Sequence, residues 1–362
     1  MKDVLIVGAG NGGCAMAADL TARNFSVRLC EIYFPERIKN LKEHGGIELT
    51  GAAGEGLFHP KLMTTNIEEA MEDVDIIFFT IPANGIEFHI HKFLPYLKSD
   101  QIIILTPGAV GGALSVTNLL KQEKIENVFV GELCTLPYSC RLISPYLVEV
   151  YDVAKDVLFA MLPDHKTNEI LETIKPLLPN LIKGETVLGT SLNYMNYLFH
   201  PVGMILNAGW IEHGKENFAF YYDGISPSIA KVLEGLDNER LNIIKQLKLK
   251  TVPFVEWFYR RGKIHLRDSV YNAIHSSIPN KKYLSPDSLK YRFILEDVPY
   301  GLVPVACFGK LLNIQTPITN ALITISSQMC DIDFMKEGRN LEKMGISNMS
   351  LSEIKELVLE GK

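Results

Sequence analysis

The glycines of DVLIVGAGNGGCAMAADLTARNFSVRLCEI, residues 3–32, are the first residues whose types and spacing suggest chemistry. Gly8, Gly10 and Gly13 stand at G-x-G-x-x-G spacing between an apolar run and a helical segment. Such glycines permit a tight turn, close approach of a pyrophosphate to the backbone, and close helix–strand packing. Gly12 adds room and Asn11 opens the helix, whose unpaired amides and positive dipole end favour an anion without any basic side chain. Glu31, at the end of the next apolar run, is placed to accept hydrogen bonds from ribose hydroxyls and to repel a 2′-phosphate, which favours NAD over NADP. Arg28 and Arg37 lie nearby and could serve a phosphate instead. Pro82 in TIPANG, and Thr106, Pro107 and Gly108 in TPGAVGG, fall in small-residue turns after further apolar runs, where ligands of doubly wound sheets bind. Each of these four residues, taken singly, is equally ordinary strand-to-helix turn chemistry.

A second set of chemically able residues lies in the other half of the chain. In TSLNYMNYLFHPVGMILNAGWIEHG the polar residues Asn193, Asn196, His200 and Asn207 recur at helical spacing on an otherwise apolar segment. A helix buried nearly all round with one polar stripe must pair those groups or turn them to a cleft, since each unsatisfied group costs about 1 to 3 kcal/mol. Pro201 has no amide hydrogen to give the carbonyl of Tyr197, so a kink is expected beside His200. A lone histidine in such a place is as readily a satisfied core residue as an acid/base group. Arg292, Glu296 and Asp297 form a third cluster ahead of an apolar helix. Asp297 reads either as an N-cap, with Pro299 in the first turn, or as a carboxylate that orients His200.

The elements that must position these residues are readable from hydrophobic period. Beside the strand that opens the glycine window and the one that ends at Glu31, buried strands are expected at residues 74–82, 101–108 and 127–132, each apolar on both faces as parallel strands are. The segment GGIELTGAAGEGLFHPKLMTTNI, residues 45–67, reads as a hairpin-like excursion. Beyond PLLPNLIKGETVLGT the pattern turns helical with no further parallel strand. The expectation is a dinucleotide-binding, doubly wound parallel sheet over residues 1–185, followed by an all-helical substrate domain over residues 186–362. Near the end, a helix is expected from Thr316 and Pro317, and SLSE (350–353) is a capping box. His59, His89 and His91 have no metal-ligand spacing and read as surface or packing residues, so no metal site is expected.

Composition narrows the partners. A length of 362 residues suggests more than one core, and a net charge of −6 without a long Lys/Arg block argues against nucleic acid. Six cysteines without C-x-x-C pairs fit a reducing compartment. No leader-like start and no apolar run near the ~20 residues of a membrane span are seen, so a cytoplasmic protein without a membrane partner is expected.

On these motifs the chain resembles the opine dehydrogenases, the octopine/nopaline dehydrogenase family. The resemblance rests on GAGNGG (8–13), TPGAVGGAL (106–114), GELCTLPYSCR (131–141), NYLFHPVGMILNAG (196–209), YYDGISPSI (221–229), RFILEDVPYGLVP (292–304) and DFMKEGRNLEKMGI (333–346). It implies NAD(P)H-dependent reductive condensation of a 2-oxo acid such as pyruvate with the amino group of an amino acid, through an imine. It also implies that His200 is the acid/base group, Asp297 its carboxylate partner, and Arg292 the holder of a substrate carboxylate; Asn196, from the polar stripe, is a further substrate-binding candidate. A homodimer through the helical domain is an expectation from the resemblance alone. Selection of the amino acid is assigned to WIEHGKENF and EWFYRRGKIH, which do not reveal it. Two other readings remain. Two-domain dehydrogenases of hydroxy acids, ketopantoate or polyol phosphates usually employ a lysine on the first interdomain helix, and none lies between Thr186 and Glu212. A non-catalytic NAD-responsive protein would need no acid/base group.

Overall fold

The computed structural model describes residues 3–214 and 217–361. Lys215 and Glu216, inside the WIEHGKENF segment, lie outside the described residues. The chain divides into two compact units: residues 1–108, 112–191 and 348–362, and residues 109–111 with 192–347.

The first unit is built on twelve strands, β1 (Asp3–Val7), β2 (Val27–Cys30), β3 (Ile47–Gly51), β4 (Gly56–Phe58), β5 (Leu62–Thr64), β6 (Val74–Phe79), β7 (Ile102–Leu105), β8 (Phe129–Leu133), β9 (Tyr138–Leu142), β10 (Leu147–Val153), β11 (Val157–Leu162) and β12 (Leu181–Lys183). Eight of them form one sheet in the order β12-β11-β8-β7-β6-β1-β2-β5. From β5 to β8 every neighbouring pair is parallel. Burial explains why: all five residues of β1 and all four of β2 and β7 are covered on both faces.

The sheet is not parallel throughout, which corrects the expectation from hydrophobic runs. β11 lies antiparallel to β8. A parallel neighbour needs a crossover, usually a helix, but the chain between β8 and β11 holds only the antiparallel β9–β10 pair, which sends it back from the opposite end. The helix Thr167–Ile174 then restores a parallel β11–β12 pair. β9 and β10 went unread in the sequence. The alternation of buried Val148 and Val150 with Glu149 and Tyr151 was their signal. They join β3 and β4 in a second sheet, order β4-β3-β10-β9, so the first part of the hairpin-like excursion is half of a four-stranded layer, while its last strand, β5, joins the first sheet beside β2.

Among the described residues the second unit is helical, with one isolated bridge, Ala219 to Leu284. Its helices include Asn196–Leu206, Pro227–Gln246, Val303–Leu311 and Pro317–Cys330. Buried Glu239 caps the last of these. Its carboxylate accepts the Ile318 amide at 2.8 Å and the Thr319 amide at 3.0 Å, where the helix dipole favours negative charge. Thr316, expected at that start, makes no side-chain cap bond.

The short helix Val187–Ser191 falls in the first unit, where it is wholly buried and packs beside β11 and β8. The terminal helix Leu351–Glu360 also belongs to the first unit, and its Ser350–Glu353 capping box is complete. All six cysteines are free, and burial pushes the Cys14, Cys30 and Cys140 thiols up to about 12, so they are poor nucleophiles. Among the described residues no helix is long and apolar enough to cross a membrane.

Candidate active site

The strands of the first unit deliver the predicted cofactor residues to one edge. Gly8 follows β1, Glu31 follows β2, Pro82 lies beyond β6, and Thr106, Pro107 and Gly108 follow β7, so all stand at carboxyl ends of adjacent parallel strands. The order reverses between β1 and β6, which is where ligands of such sheets settle.

Two glycines are sterically required there. Gly8 has φ +103°, and a Cβ on Gly13 would stand 1.7 Å from the Gly8 carbonyl oxygen. The helix Asn11–Ala22 begins with Gly10 as its cap and no side-chain hydrogen bond, leaving its first turn to an anion. Asn11 and Gly12 differ from expectation in detail. The Asn11 side chain accepts the Leu142 amide at 2.9 Å, so only its backbone faces that role, and a Cβ on Gly12 would strike the Leu136 side chain.

Glu31 is 3% exposed and accepts three amides: Ala9 at 2.9 Å, Tyr33 at 2.9 Å and Phe34 at 3.1 Å. It thus ties the glycine turn to the start of the helix Pro35–His44. Arg37 holds its guanidinium 3.8 Å from Glu31 and over the Phe34 ring, beside Gly10. Arg28, the other cation near Glu31 in sequence, is buried and bonds Asp3 at 2.6 Å and the Glu69 carbonyl at 2.7 Å, so it serves the sheet edge and not a phosphate. Gly108 packs against Glu132, a buried carboxylate that accepts the Ala113 amide at 2.7 Å.

In the second unit the polar stripe is rearranged. The expected long helix is broken between Ser191 and Asn196, then continues through Pro201 to Leu206. Asn193 falls in that break, where its oxygen accepts the Thr251 hydroxyl at 2.9 Å within a network around the fully buried Arg240. Asn207 ends the helix and donates to the Gly203 and Gly224 carbonyls, both at 2.8 Å. Short amide side chains compete for backbone and neighbouring partners, so helical spacing overstated the stripe. We expect Asn193→Ala to lower stability by about 1 to 3 kcal/mol in urea denaturation, while steady-state constants stay near wild type.

His200 and Asp297 do meet. The imidazole Nδ1 lies 2.7 Å from Asp297 Oδ2, and Asp297 is fully buried. A carboxylate only accepts, so Nδ1 carries the hydrogen and Nε2 is left as the acceptor of the neutral ring. The Tyr194 hydroxyl donates to Asp297 Oδ1 at 2.7 Å and itself accepts from Asn196 Nδ2 at 3.1 Å. Asn196 therefore acts at one remove, through Tyr194. The Tyr221 hydroxyl stands 2.7 Å from Nε2, and the Phe293 ring stacks on the imidazole at 3.7 Å.

The N-cap alternative for Asp297 is not what the side chain does. It precedes a π-helical turn, Val298–Leu302, without any cap hydrogen bond. Such turns widen the backbone and recur at functional sites. Pro304 cannot supply an amide to the Tyr300 carbonyl, which accepts Val110 at 3.0 Å instead. On the short helix Arg292–Leu295, Arg292 pairs with buried Glu296 at 2.9 Å while its side chain stays 49% exposed, so Glu296 aims a guanidinium that still reaches solvent.

Burial pulls the His200 pKa below the ordinary 6.5, Asp297 pushes it back up, and Arg292 adds a smaller downward pull. Burial and then the Asp297 charge hold the Tyr194 phenol well above its usual range. Tyr194, Tyr221 and Phe293 were not singled out from sequence. Their residue types merge with an aromatic core pattern; Tyr221, opening YYDGISPSI, and Phe293, inside RFILEDVPYGLVP, lay in quoted motifs, whereas Tyr194 carried no signal.

A dinucleotide-type, mostly parallel sheet, followed by a helical unit holding a buried histidine–carboxylate pair, fits an NAD(P)-dependent oxidoreductase, and kinship with the opine dehydrogenases makes it one acting on CH–NH bonds. The chain belongs to the opine dehydrogenase family. It is 35% identical over 357 residues to an opine dehydrogenase of Arthrobacter sp. (strain 1C), spanning 99% of each chain. Residues 183–330 match the family of NAD/NADP octopine/nopaline dehydrogenase, alpha-helical domain, and residues 4–133 match ketopantoate reductase PanE/ApbA. Among solved structures, octopine dehydrogenase with NADH and L-arginine superposes with TM-score 0.80 at 20% identity, covering 100% of this chain and 98% of that one. The same enzyme with NADH and pyruvate gives 0.78 at 19% identity, with the same coverage. NADP+-bound yersinopine dehydrogenase gives 0.74 at 16% identity, covering 99% of each.

Proposed function

We propose that the chain condenses a 2-oxo acid, pyruvate being the first candidate, with the amino group of an amino acid and reduces the product to a secondary amine dicarboxylate. The single observation that carries this reading is the buried Asp297–His200 pair at 2.7 Å, on which Phe293 stacks while the adjacent Arg292 remains half-exposed. The likeness to enzymes solved with pyruvate and with L-arginine supports the substrate class.

In this reading Arg292, aimed by Glu296, takes the substrate carboxylate in a two-point grip. Attack of the neutral amine on the oxo carbon gives a carbinolamine. Protonated His200 supplies the proton with which its hydroxyl leaves as water, producing the iminium, and the reverse direction returns that proton to the imidazole. Asp297 holds the productive tautomer and stabilises the imidazolium. The bound nicotinamide cofactor supplies the hydride that reduces the iminium carbon. Gly8, Gly10, Gly13 and the first-turn amides fit its pyrophosphate, and Glu31 fits the adenosine ribose. NADH is the favoured form because the fixed Glu31 carboxylate would meet the ribose hydroxyls and repel a 2′-phosphate; Arg37 leaves NADPH admissible. A dimer through the helical unit belongs to the same reading.

The test is an oxidation screen with NADH and NADPH, in which pyruvate, oxaloacetate and 2-oxoglutarate are each paired with a panel of amino acids. Turnover that needs both an oxo acid and an amine, faster with NADH, is expected. Turnover with the oxo acid alone would replace this reading by a hydroxyacid dehydrogenase.

A further inference from the structure

The imidazole of His200 is almost closed off. It is 5% exposed, its Nδ1 is taken by Asp297, Phe293 covers a face at 3.7 Å, and the Phe199 ring stands edge-on at 4.6 Å. The nitrogen that must exchange the proton, Nε2, is met by the Tyr221 hydroxyl at 2.7 Å. Tyr221 itself is only half-buried. We propose that Tyr221 is a catalytic residue, relaying the proton between His200 and the reacting oxygen of the substrate; this rests on the condensation reading above.

Two features favour a relay over a phenol that swings aside. First, the Tyr221 ring is packed edge-on against Phe199 at 5.6 Å, Phe220 at 5.1 Å and Tyr283 at 5.7 Å. Second, its turn is cross-tied: Phe220 donates to the Tyr283 carbonyl at 2.7 Å, and the Ala219 amide donates to Asp223 Oδ2 at 2.8 Å. Displacing the hydroxyl would disturb the ring packing, and the tied turn holds the backbone from which the ring projects.

A phenol both donates and accepts, so it can pass a proton on and end unchanged. In the condensing direction the imidazolium Nε2–H gives its proton to the Tyr221 oxygen while the Tyr221 O–H gives its own to the carbinolamine hydroxyl. The C–O bond breaks, water leaves, and the iminium forms. His200 ends neutral and Tyr221 is a phenol before and after. Burial, with Tyr283 and Asp297 nearby, holds the phenol far above its usual pKa, so a resting phenolate plays no part.

The experiment compares Tyr221→Phe with wild type and takes a proton inventory, the rate in graded H2O/D2O mixtures. Tyr221→Phe should lose about a hundredfold in kcat with the oxo-acid KM little changed, the lower end of the range for a general acid–base path. The wild-type rate should fall along a bowed curve as deuterium rises, because more than one proton moves together, and the variant's along a straight line. A variant within about twofold of wild type, or a straight wild-type curve, would overturn the relay. Should the variant fail to fold, the wild-type curve decides alone. The amine requirement is read first on wild type. If the oxo acid is reduced without amine, the condensation reading fails by itself, and the same comparison on that reduction still decides the relay.

Discussion

His200→Asn should turn over about 10³-fold more slowly than wild type, within the range for removing a positioned acid–base group, while NADH binds as before. Asparagine nearly fills the same space and can still bond Asp297 and Tyr221, so the aromatic packing of Phe293 and Phe199 is only partly disturbed. What it cannot do is gain and lose a proton near neutrality. Stopped-flow reduction under single-turnover conditions, beside a fluorescence titration with NADH, separates the two effects. Wild-type rates in the variant would remove His200 from the chemistry. Loss of NADH binding in parallel with the rate would mean a folding defect instead.

A comparable loss, again about 10³-fold, is expected for Asp297→Asn, for a different reason. The carboxylate accepts from both His200 Nδ1 and Tyr194, each at 2.7 Å. An amide that keeps the Tyr194 bond turns its N–H hydrogens toward Nδ1, which can then only accept. The proton moves to Nε2, and the nitrogen that meets Tyr221 can no longer take one. The pH profile carries the sign. Oxidation of the secondary amine requires neutral His200, so its rate falls as pH drops through the histidine pKa. Asp297 raises that pKa against burial, so without the charge the acid limb moves to lower pH. The pH dependence of kcat for the oxidative reaction checks this. An unshifted limb with only a lowered melting temperature would make Asp297 a structural residue.

The parts of this molecule that could be read without coordinates are those dictated within a few residues. β1, the Gly8–Gly13 turn and the helix after it form a contiguous unit whose steric demands appear directly as glycines, a Cβ at Gly13 being impossible beside Gly8. The capping box at Ser350–Glu353 is local in the same way. β11 went unread like β9 and β10, and its antiparallel direction follows from the path of the β9–β10 pair, which no short stretch of sequence records. Helical period carried His200 and Asn196 correctly to one segment but added Asn193 and Asn207, whose side chains found partners elsewhere.

Residue types and short spacings determined that this chain builds a dinucleotide-type sheet and then a helical unit, and they marked His200, Arg292 and Asp297 as able to do proton and carboxylate chemistry. The tertiary structure alone decided that Asp297 bonds His200 across 97 residues of chain instead of capping a helix, that Tyr194 and Asn196 support the carboxylate, and that Tyr221 meets the exchanging nitrogen. The reason is physical. Backbone sterics act between neighbours and leave their mark in local composition, whereas a buried carboxylate takes whichever donors packing brings within about 3 Å, and packing is a property of the whole unit.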